Sequence, residues 1–443
     1  MQNQGIRDAR SLGTPKMLVL GLQHMFAMFG ATVLVPALTG LSVSATLLFA
    51  GLGTLFFHFL TKGKVPAFLG SSFAYLAGYA AIAPNGETAL LPYACVGVAA
   101  SGLLYLILAA LVRGFGANHV MRFFPPVVTG PIIICIGMTL ANSAINNCTG
   151  SWDIALVAII TVVVFNIWGK GMLRIIPILL GVLVSYAYAA ITGRVDFSGV
   201  ASAAWIGLPV KMENTVFSLI GNCDVNLLVT AIIAIMPIAF ATMIEHIGDI
   251  CAISSTVGEN FIADPGLHRT LLGDGLATSI ASLFGAPANT TYGENTGVLA
   301  LTRVYDPLVI RLAAVYAIIA SFCPKFAALV SAMPTGTIGG VSLILYGMIS
   351  AIGVRNLVEN QVDLSKSRNV IVVSLIISLA LGITFSAAGA ITFHVGEFTL
   401  NFSGLAVAAI VGIAVNAILP GKDYDFQNNY KYGKTTEDHG QML

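Results

Sequence analysis

Charged side chains are scarce in this chain, because Asp, Glu, Lys and Arg make up only 9% of its 443 residues while 57% are hydrophobic. A soluble chain carries about 25% charged residues, so this one has too little polar surface to face water on all sides. Its net charge of +1 and its lack of a basic tract give no indication of nucleic-acid binding. The sequence therefore predicts an all-α polytopic membrane protein, built from apolar segments of about 20 residues.

Motifs for metal binding and for intramembrane catalysis are missing as well. The six cysteines are scattered without the spacing of metal ligands, and there is no Ser–Lys or paired-Asp protease motif. We therefore expect no metal, no organic cofactor and no enzymatic activity. Cys148 and Cys223 fall in loops predicted to share one side of the membrane, and the sequence leaves open whether they are bridged.

Fourteen apolar segments follow one another along the chain. Their predicted limits are 17–39, 43–61, 65–83, 88–112, 124–146, 152–169, 174–193, 225–252, 269–285, 287–302, 307–323, 334–353, 369–389 and 402–419. With residues 1–16 on the cytoplasmic side, every Lys and Arg except Arg194, Lys211 and Lys325 falls on that side. Because basic loops stay cytoplasmic, both termini are expected there.

A polar stretch, residues 194–224, divides the fourteen segments into two sets of seven. Residues 17–193 form the first predicted repeat, residues 225–420 the second, and residues 421–443 a cytoplasmic tail. An odd number of crossings makes the second set enter the membrane from the opposite face. This arrangement is typical of inverted repeats in transporters.

The third segment of each half contains an interrupted stretch, 65–74 in segment 3 and 286–295 at the start of segment 10. Each stretch has Pro near its start and residues that favour extended backbone before it becomes helix-compatible. Extended backbone is tolerated in a membrane only inside protein or beside a cavity. We therefore expect short antiparallel strands in segments 3 and 10, each followed by a half-helix, and not two Pro-containing helices. Half-helix N-termini attract electron-rich ligands, so the substrate site is predicted where Phe73 and Glu294 face each other.

Three of the acidic residues within predicted segments are candidates for the site, because ionisable groups there are costly and often functional. Glu245 and Asp249 share one face of the eighth segment, although Asp249 could instead lie at a solvated helix end. Glu294 stands where segment 10 changes from strand to helix. It could cap the helix or bind and release a proton. For His246, which is off the acidic face, a structural role is favoured.

Other buried polar groups permit two interpretations. Gln23, His24 and Asp274 could support the site through hydrogen bonds or tie helices together. His58 has an apolar neighbourhood and is interpreted as structural.

The run Glu294-Asn295-Thr296-Gly297 followed by Thr302-Arg303 resembles the signature of the nucleobase–ascorbate transporter family. That signature is an acid or amide, Asn, any residue, Gly, four residues, Thr and a basic residue. Gln23-His24 resembles the family's first-segment motif. Residues 22–36, 62–74, 264–269 and 289–298 are similar to the family's bacterial uracil permeases, and the similarity runs from about residue 15 to 420.

This resemblance implies a core domain of segments 1–4 and 8–11 and a gate domain of segments 5–7 and 12–14. It implies a homodimer in the bacterial inner membrane that imports a nucleobase, most simply uracil, by alternating access with H⁺ as the coupling ion. Glu245 would accept ring N–H groups, Glu294 would be the second site acid, and Phe73 and Gly293 would offer backbone N–H groups, with Tyr292 beside them. The residues implied in proton coupling or site support are Asp249, Glu294, Gln23, His24 and Asn295.

Asp249 departs from the pattern, because the uracil permeases carry His there and the purine and ascorbate branches carry Asp. Those purine members, however, show Gln where this chain has Glu294. A permease for xanthine or uric acid is therefore the alternative with the same fold. A sulfate-type anion carrier also shares the architecture, but Glu245 and Glu294 disfavour an anionic substrate.

Overall fold

The computed structural model describes residues 5–395 and 398–422, and it is built mainly from helices. All but the first two residues of the predicted tail 421–443, and residues 1–4 of the predicted N-terminal segment, lie outside this range. The α-helices are α1 (Thr14–Thr39), α2 (Val43–Leu60), α3 (Leu76–Ile82), α4 (Leu91–Phe115), α5 (Ala117–Met121), α6 (Pro126–Cys148), α7 (Trp152–Trp168), α8 (Met172–Ile175), α9 (Pro177–Ile191), α10 (Ser198–Ser202), α11 (Val225–Ile235), α12 (Ala239–Val257), α13 (Leu267–Leu283), α14 (Gly293–Thr302), α15 (Pro307–Ser321), α16 (Pro324–Ser331), α17 (Thr335–Glu359), α18 (Ser367–Thr384) and α19 (Gly404–Ile418). The strands are β1 (Leu69–Ser71), β2 (Asn289–Thr291), β3 (Ala390–Val395) and β4 (Phe398–Ser403).

Several helices begin and end where local sequence chemistry dictates. The side chain of Ser42 accepts a hydrogen bond at the start of α2, and that of Asp224 accepts two at the start of α11. Such caps satisfy backbone N–H groups that a helix leaves unpaired. Gly40 and Gly258, in the left-handed conformation, end α1 and α12.

Seven helices within the described residues are long and apolar enough to cross a membrane, judged by length and composition. The number becomes eight if α15 and α16, which are bent by 88°, count as one broken crossing. Each of the fourteen predicted segments contains at least one helix. The remaining predicted segments contain no helix long enough to cross a membrane alone. In some, such as those of α7, α9 and α19, the helix is short, and in others a strand precedes it.

Two pairs of helices make close contacts through small residues. Gly130 of α6 faces Gly353 of α17, where an added Cβ would approach the opposite backbone to 2.6 Å or 3.0 Å. Gly102 of α4 faces Gly275 of α13, and a Cβ on Gly102 would lie 2.5 Å from the Gly275 carbonyl oxygen. Small residues let membrane helices approach this closely.

An antiparallel hairpin of β3 and β4 lies between α18 and α19, with Ala390 opposite Ser403 and Val395 opposite Phe398. The predicted limits 369–389 and 402–419 are wrong at this point, since α18 ends at Thr384 and α19 begins only at Gly404. An alternating pattern, Ile391-Thr392-Phe393 on one side and Phe398-Thr399-Leu400 on the other, carried the signal for strands. β4 packs against α11.

Cys148 and Cys223 both carry free thiols in the structure. Cys148 is buried and Cys223 is exposed, so the two do not form the disulfide that the sequence left open.

Candidate functional site

The two interrupted segments meet in a small antiparallel sheet. Leu69 of β1 lies opposite Thr291 of β2, and Ser71 lies opposite Asn289. All six strand residues are buried. Because the strands are antiparallel, the two helices that follow them, α3 and α14, begin beyond opposite ends of the ladder. The extended backbone predicted for both segments is thus enclosed within protein.

Side-chain contacts of Tyr292 reinforce the ladder. Its hydroxyl donates to the carbonyl oxygen of Ser71 at 2.8 Å, and its backbone N–H donates to the carbonyl of Phe68 at 3.0 Å. Its ring lies against Gly70, where an added Cβ would come within 2.4 Å of the ring. The phenol of Tyr292, predicted to lie beside the substrate, is therefore engaged with the opposite segment.

Backbone N–H groups are left over at both strand-to-helix changes. The N–H of Phe73 and the N–H of Gly293 donate to no atom of the described residues. Phe73 precedes α3 and Gly293 begins α14, and N–H groups at the start of a helix have no partner within it, so both donors are available to a ligand. Within residues 5–395 and 398–422, the N–H groups of Phe73 and Gly293 therefore have no acceptor that would compete with a ligand.

An acidic cluster from α12 lies against the start of α14. Oδ2 of Asp249 accepts a hydrogen bond of 2.8 Å from the Thr291 hydroxyl, and a Cβ on Gly293 would lie 3.9 Å from its Oδ1. Glu245 is one turn earlier on α12, and its Oε2 is buried without a hydrogen-bond partner among the described residues. Glu294, in the first turn of α14, is near enough to both for mutual repulsion. Full ionisation of all three carboxyl groups is therefore unfavourable.

His246 and Asp274 lie behind this cluster and are fully buried. His246 Nδ1 lies 3.4 Å from Asp274 Oδ2 and 3.5 Å from the Thr291 hydroxyl. The His246 ring also packs edge-on against Phe57 and Tyr105. These contacts join α12, α13 and β2, as expected for the structural role assigned to His246.

Asn295 fixes α14 against α1. Its Nδ2 lies 3.1 Å from the carbonyl oxygen of His24 and 3.2 Å from His24 Nδ1. The side chain of Gln23 is also buried, but it makes no hydrogen bond with a described residue. The structure therefore brings His24 and Asn295 together, while Gln23 only lies next to His24 on α1.

Phe73 packs against the helix that faces α14. Its ring centroid lies 5.7 Å from that of Tyr346 on α17, in an edge-to-face arrangement. Leu345 and Met348, the neighbours of Tyr346, line a cleft beside Glu294. Phe73 thus lies near this cleft without lining it.

The cleft has a volume of about 210 Å³ and separates α14 and α1 from α8, α9 and α17. Of the residues predicted for the site, Gly293 and Glu294 line it, whereas Glu245 and Asp249 lie beyond its wall. A second cavity of about 330 Å³ adjoins it and shares Arg174 and Leu301. A volume of this size holds several water molecules or a small ring compound.

Sequence reasoning missed Thr291 and Arg174 as residues of this region. From the sequence, Thr291 is recognised only as part of a strand. Its hydrogen bond to Asp249 depends on how α12 packs against β2. Arg174 is one of the basic residues that the predicted topology places on the cytoplasmic side, and no local pattern indicates that it lines the same cleft as Glu294. Among the described residues there is no group of three or more His, Cys, Asp and Glu that could hold a metal.

The fold and the site define a polytopic membrane transporter, in which two broken segments meet beside half-buried carboxyl groups. A family model described as "Permease family" (Xan_ur_permease) matches residues 15–389. The chain belongs to this family, the nucleobase–ascorbate transporters, and the resemblance expected from the sequence motifs is confirmed. It is a transporter and not an enzyme.

Curated relatives match almost the whole chain. The chain is 41% identical to a uracil permease of Bacillus caldolyticus, with 98% of each chain covered. It is 39% identical to a uracil permease of Bacillus subtilis over 99% of this chain and 98% of that one. It is 38% identical to a uracil permease of Escherichia coli K12, with 90% of each covered.

Solved structures share the fold at low sequence identity. The transmembrane domain of a cyanobacterial bicarbonate transporter, BicA, gives a TM-score of 0.60 at 13% identity and covers 94% of this chain and 100% of that one. The structure of SLC26A9 gives 0.64 at 12% identity and covers 91% of this chain and 64% of that one. These likenesses establish the fold class and leave the substrate open.

Proposed function

We propose that this chain imports uracil across the bacterial inner membrane together with protons. The observation that carries the proposal is that unsatisfied donors on the two interrupted segments accompany an unsatisfied acceptor on α12, which packs against β2 and α14. The Oε2 of Glu245 lacks a partner among the described residues, and the N–H groups of Phe73 and Gly293 have no described acceptor. The relatives named uracil permease support the choice of ligand.

Uracil has the complementary chemistry. Its ring presents two N–H donors and two exocyclic carbonyl acceptors. The carboxyl groups of Glu245 and Glu294 would accept from the ring N–H groups, while the backbone N–H groups of Phe73 and Gly293 would donate to the carbonyl oxygens. A site that satisfies every polar edge of its ligand rejects analogues that lack one of those groups.

Fourteen crossings in two inverted repeats would support transport by alternating access. Segments 1–4 and 8–11 would form the core that holds the site, and segments 5–7 and 12–14 the gate. The cleft runs between α14 and α1 of this core and α8, α9 and α17 of this gate. Arg174 and Lys170 line the cavity that adjoins the cleft, and the predicted cytoplasmic location of these basic residues supports a conformation open to the cytoplasm. A homodimer is expected from the family resemblance.

Glu294 and Asp249 are the proposed proton carriers. Both belong to a cluster in which three carboxyl groups cannot all be ionised without repulsion. Protonation of one carboxyl group relieves this repulsion. Bound uracil then provides hydrogen bonds in place of those to the water that it displaces. The two events therefore favour each other, which is what coupling requires.

A purine permease is the second candidate, because Asp249 stands where the uracil permeases carry His and is held in place by Thr291. A competition experiment separates the two. Purified protein in vesicles should accumulate labelled uracil under an inward proton gradient, and unlabelled uracil should compete far better than xanthine, hypoxanthine or uric acid. Stronger competition by a purine would overturn uracil as the cargo, and absence of accumulation would overturn proton-coupled import.

A further inference from the structure

The cleft beside the site carries one acidic side chain on one wall and one basic side chain on the other. Glu294 comes from α14, and Arg174 comes from α8. The other lining residues are uncharged, and Asn166 alone among them has a polar side chain. Attraction between opposite charges is stronger in such a partly dehydrated, mostly apolar space than in open water.

Arg174 is free to engage a partner across the cleft. Its guanidinium makes no hydrogen bond or ion pair with a residue in the described ranges. It stands on a one-turn helix between Gly171, whose φ is 56°, and Pro177, which begins α9. Since it lines both the cleft and the adjoining cavity, it occupies the place where the two join.

Among the described residues that line the cleft, Arg174 is the single cation near the acidic cluster. Glu245 and Asp249 face Glu294 from α12, and each adds negative charge when ionised. A carrier that has released its substrate and proton to the cytoplasm must return with Glu294 ionised. A bare carboxylate is costly to enclose within a membrane protein.

We propose that Arg174 is the counter-ion of Glu294 in the empty carrier, pairing with it across the closing cleft so that the substrate-free protein can return. The proposal rests on the proposed function, in which Glu294 carries a proton. Arginine keeps its charge at all physiological pH values, so the state of Glu294 alone decides whether the pair forms. Protonation of Glu294 removes the attraction and releases Arg174, which leaves the cleft free for uracil.

Two transport assays in vesicles separate this role from a merely structural one. Net proton-driven uptake requires return of the empty carrier, whereas exchange of internal for external uracil does not. Arg174→Gln should slow net uptake about fivefold or more, since a partly dehydrated ion pair exceeds the strength of an exposed one. Exchange and the affinity for uracil should stay near the wild-type values. Arg174→Lys, which keeps the charge, should restore most of the net rate.

Lys170→Gln provides the matched control, because it removes the same charge nearby from a residue that lines only the adjoining cavity. It should leave both assays unchanged. In a Glu294→Gln background the return step needs no counter-ion, so Arg174→Gln should not slow downhill uracil flux any further.

Three results would overturn the counter-ion role in a wild-type protein that accumulates uracil. These are an unchanged net rate in Arg174→Gln, an equal loss of net uptake and exchange, and an equal effect of Lys170→Gln. A wild-type protein that does not accumulate uracil would overturn the proposed function, and the pairing with it. Thermal unfolding in detergent shows whether each variant is folded.

Discussion

Thr291 connects the small central sheet to the acidic cluster. Its hydroxyl donates to Asp249 at 2.8 Å, whereas the hydroxyl of the adjacent Thr290 is buried without a partner among the described residues. The two side chains point to opposite faces of β2. They therefore form a natural pair for measuring what one hydrogen bond contributes to the site.

Thr291→Val should weaken uracil binding, because Asp249 loses its only hydrogen bond to a described residue and can reorient. A hydrogen bond to a charged group contributes about 1.5–3 kcal/mol, so we expect a loss of affinity of about tenfold or more by calorimetry. Thr290→Val removes an unpaired hydroxyl and should leave affinity unchanged. Equal effects of the two changes would assign the loss to altered strand packing.

Glu294→Gln should separate binding from coupling. The glutamine retains one carbonyl acceptor for uracil but cannot bind or release a proton, so weak binding should persist while accumulation under an imposed pH gradient is lost. Parallel calorimetry and vesicle uptake measure the two properties. Full pH-driven accumulation in this variant would move the coupling proton to another group, with Asp249 the first alternative.

At this scale the sequence predicted acidic candidates within the apolar segments but not the hydrogen bonds that join the side chains. Acidic residues inside apolar segments are conspicuous because their burial is costly, so Glu245, Asp249 and Glu294 were all identified. The hydrogen bonds of Thr291 and Tyr292 were not identified, because a local sequence does not indicate which distant residue a hydroxyl group will contact. The Tyr292 hydroxyl in particular donates to Ser71, 221 residues away in the sequence.

Among the structural elements, the paired strands β1 and β2 are the feature on which the site depends. Proline and extended-backbone residues at matching places in both halves predicted them, since such backbone needs a protein environment. The β3–β4 hairpin was not predicted, because its apolar residues are similar in composition to those of the neighbouring helical segments. Alternation with a period of two was the signal that distinguishes it.

Gly70→Ala should disrupt the strand pair, because the new methyl group would lie 2.4 Å from the Tyr292 ring. Overpacking of this kind costs about 1–3 kcal/mol. Uracil uptake should fall and the unfolding temperature in detergent should drop. Gly114→Ala is the matched control, since nothing lies within 4 Å of a Cβ at that position. A Gly70→Ala protein with normal uptake and stability would show that the ladder tolerates displacement of Tyr292.

At the scale of the whole molecule, composition and segment length predicted a helical membrane transporter, and the fold and family agree with it. The cleft could not be predicted, because its walls come from α1, the α8–α9 region, α14 and α17. These elements are far apart in the sequence, and their packing depends on close contacts such as that of Gly130 with Gly353. Local periodicity determines which face of a helix is apolar but not which helix covers it.

The most direct test of the proposed site is calorimetric titration of uracil into the wild-type protein and Glu245→Gln. The amide would place an NH₂ donor where the carboxyl group accepts from the ring, so binding should weaken at least about tenfold, or about 1.5–3 kcal/mol. Glu87→Gln makes the same chemical change at an exposed residue hydrogen-bonded to Asn85 and should bind uracil normally. Near-normal affinity in Glu245→Gln would contradict the placement of the substrate at the acidic cluster.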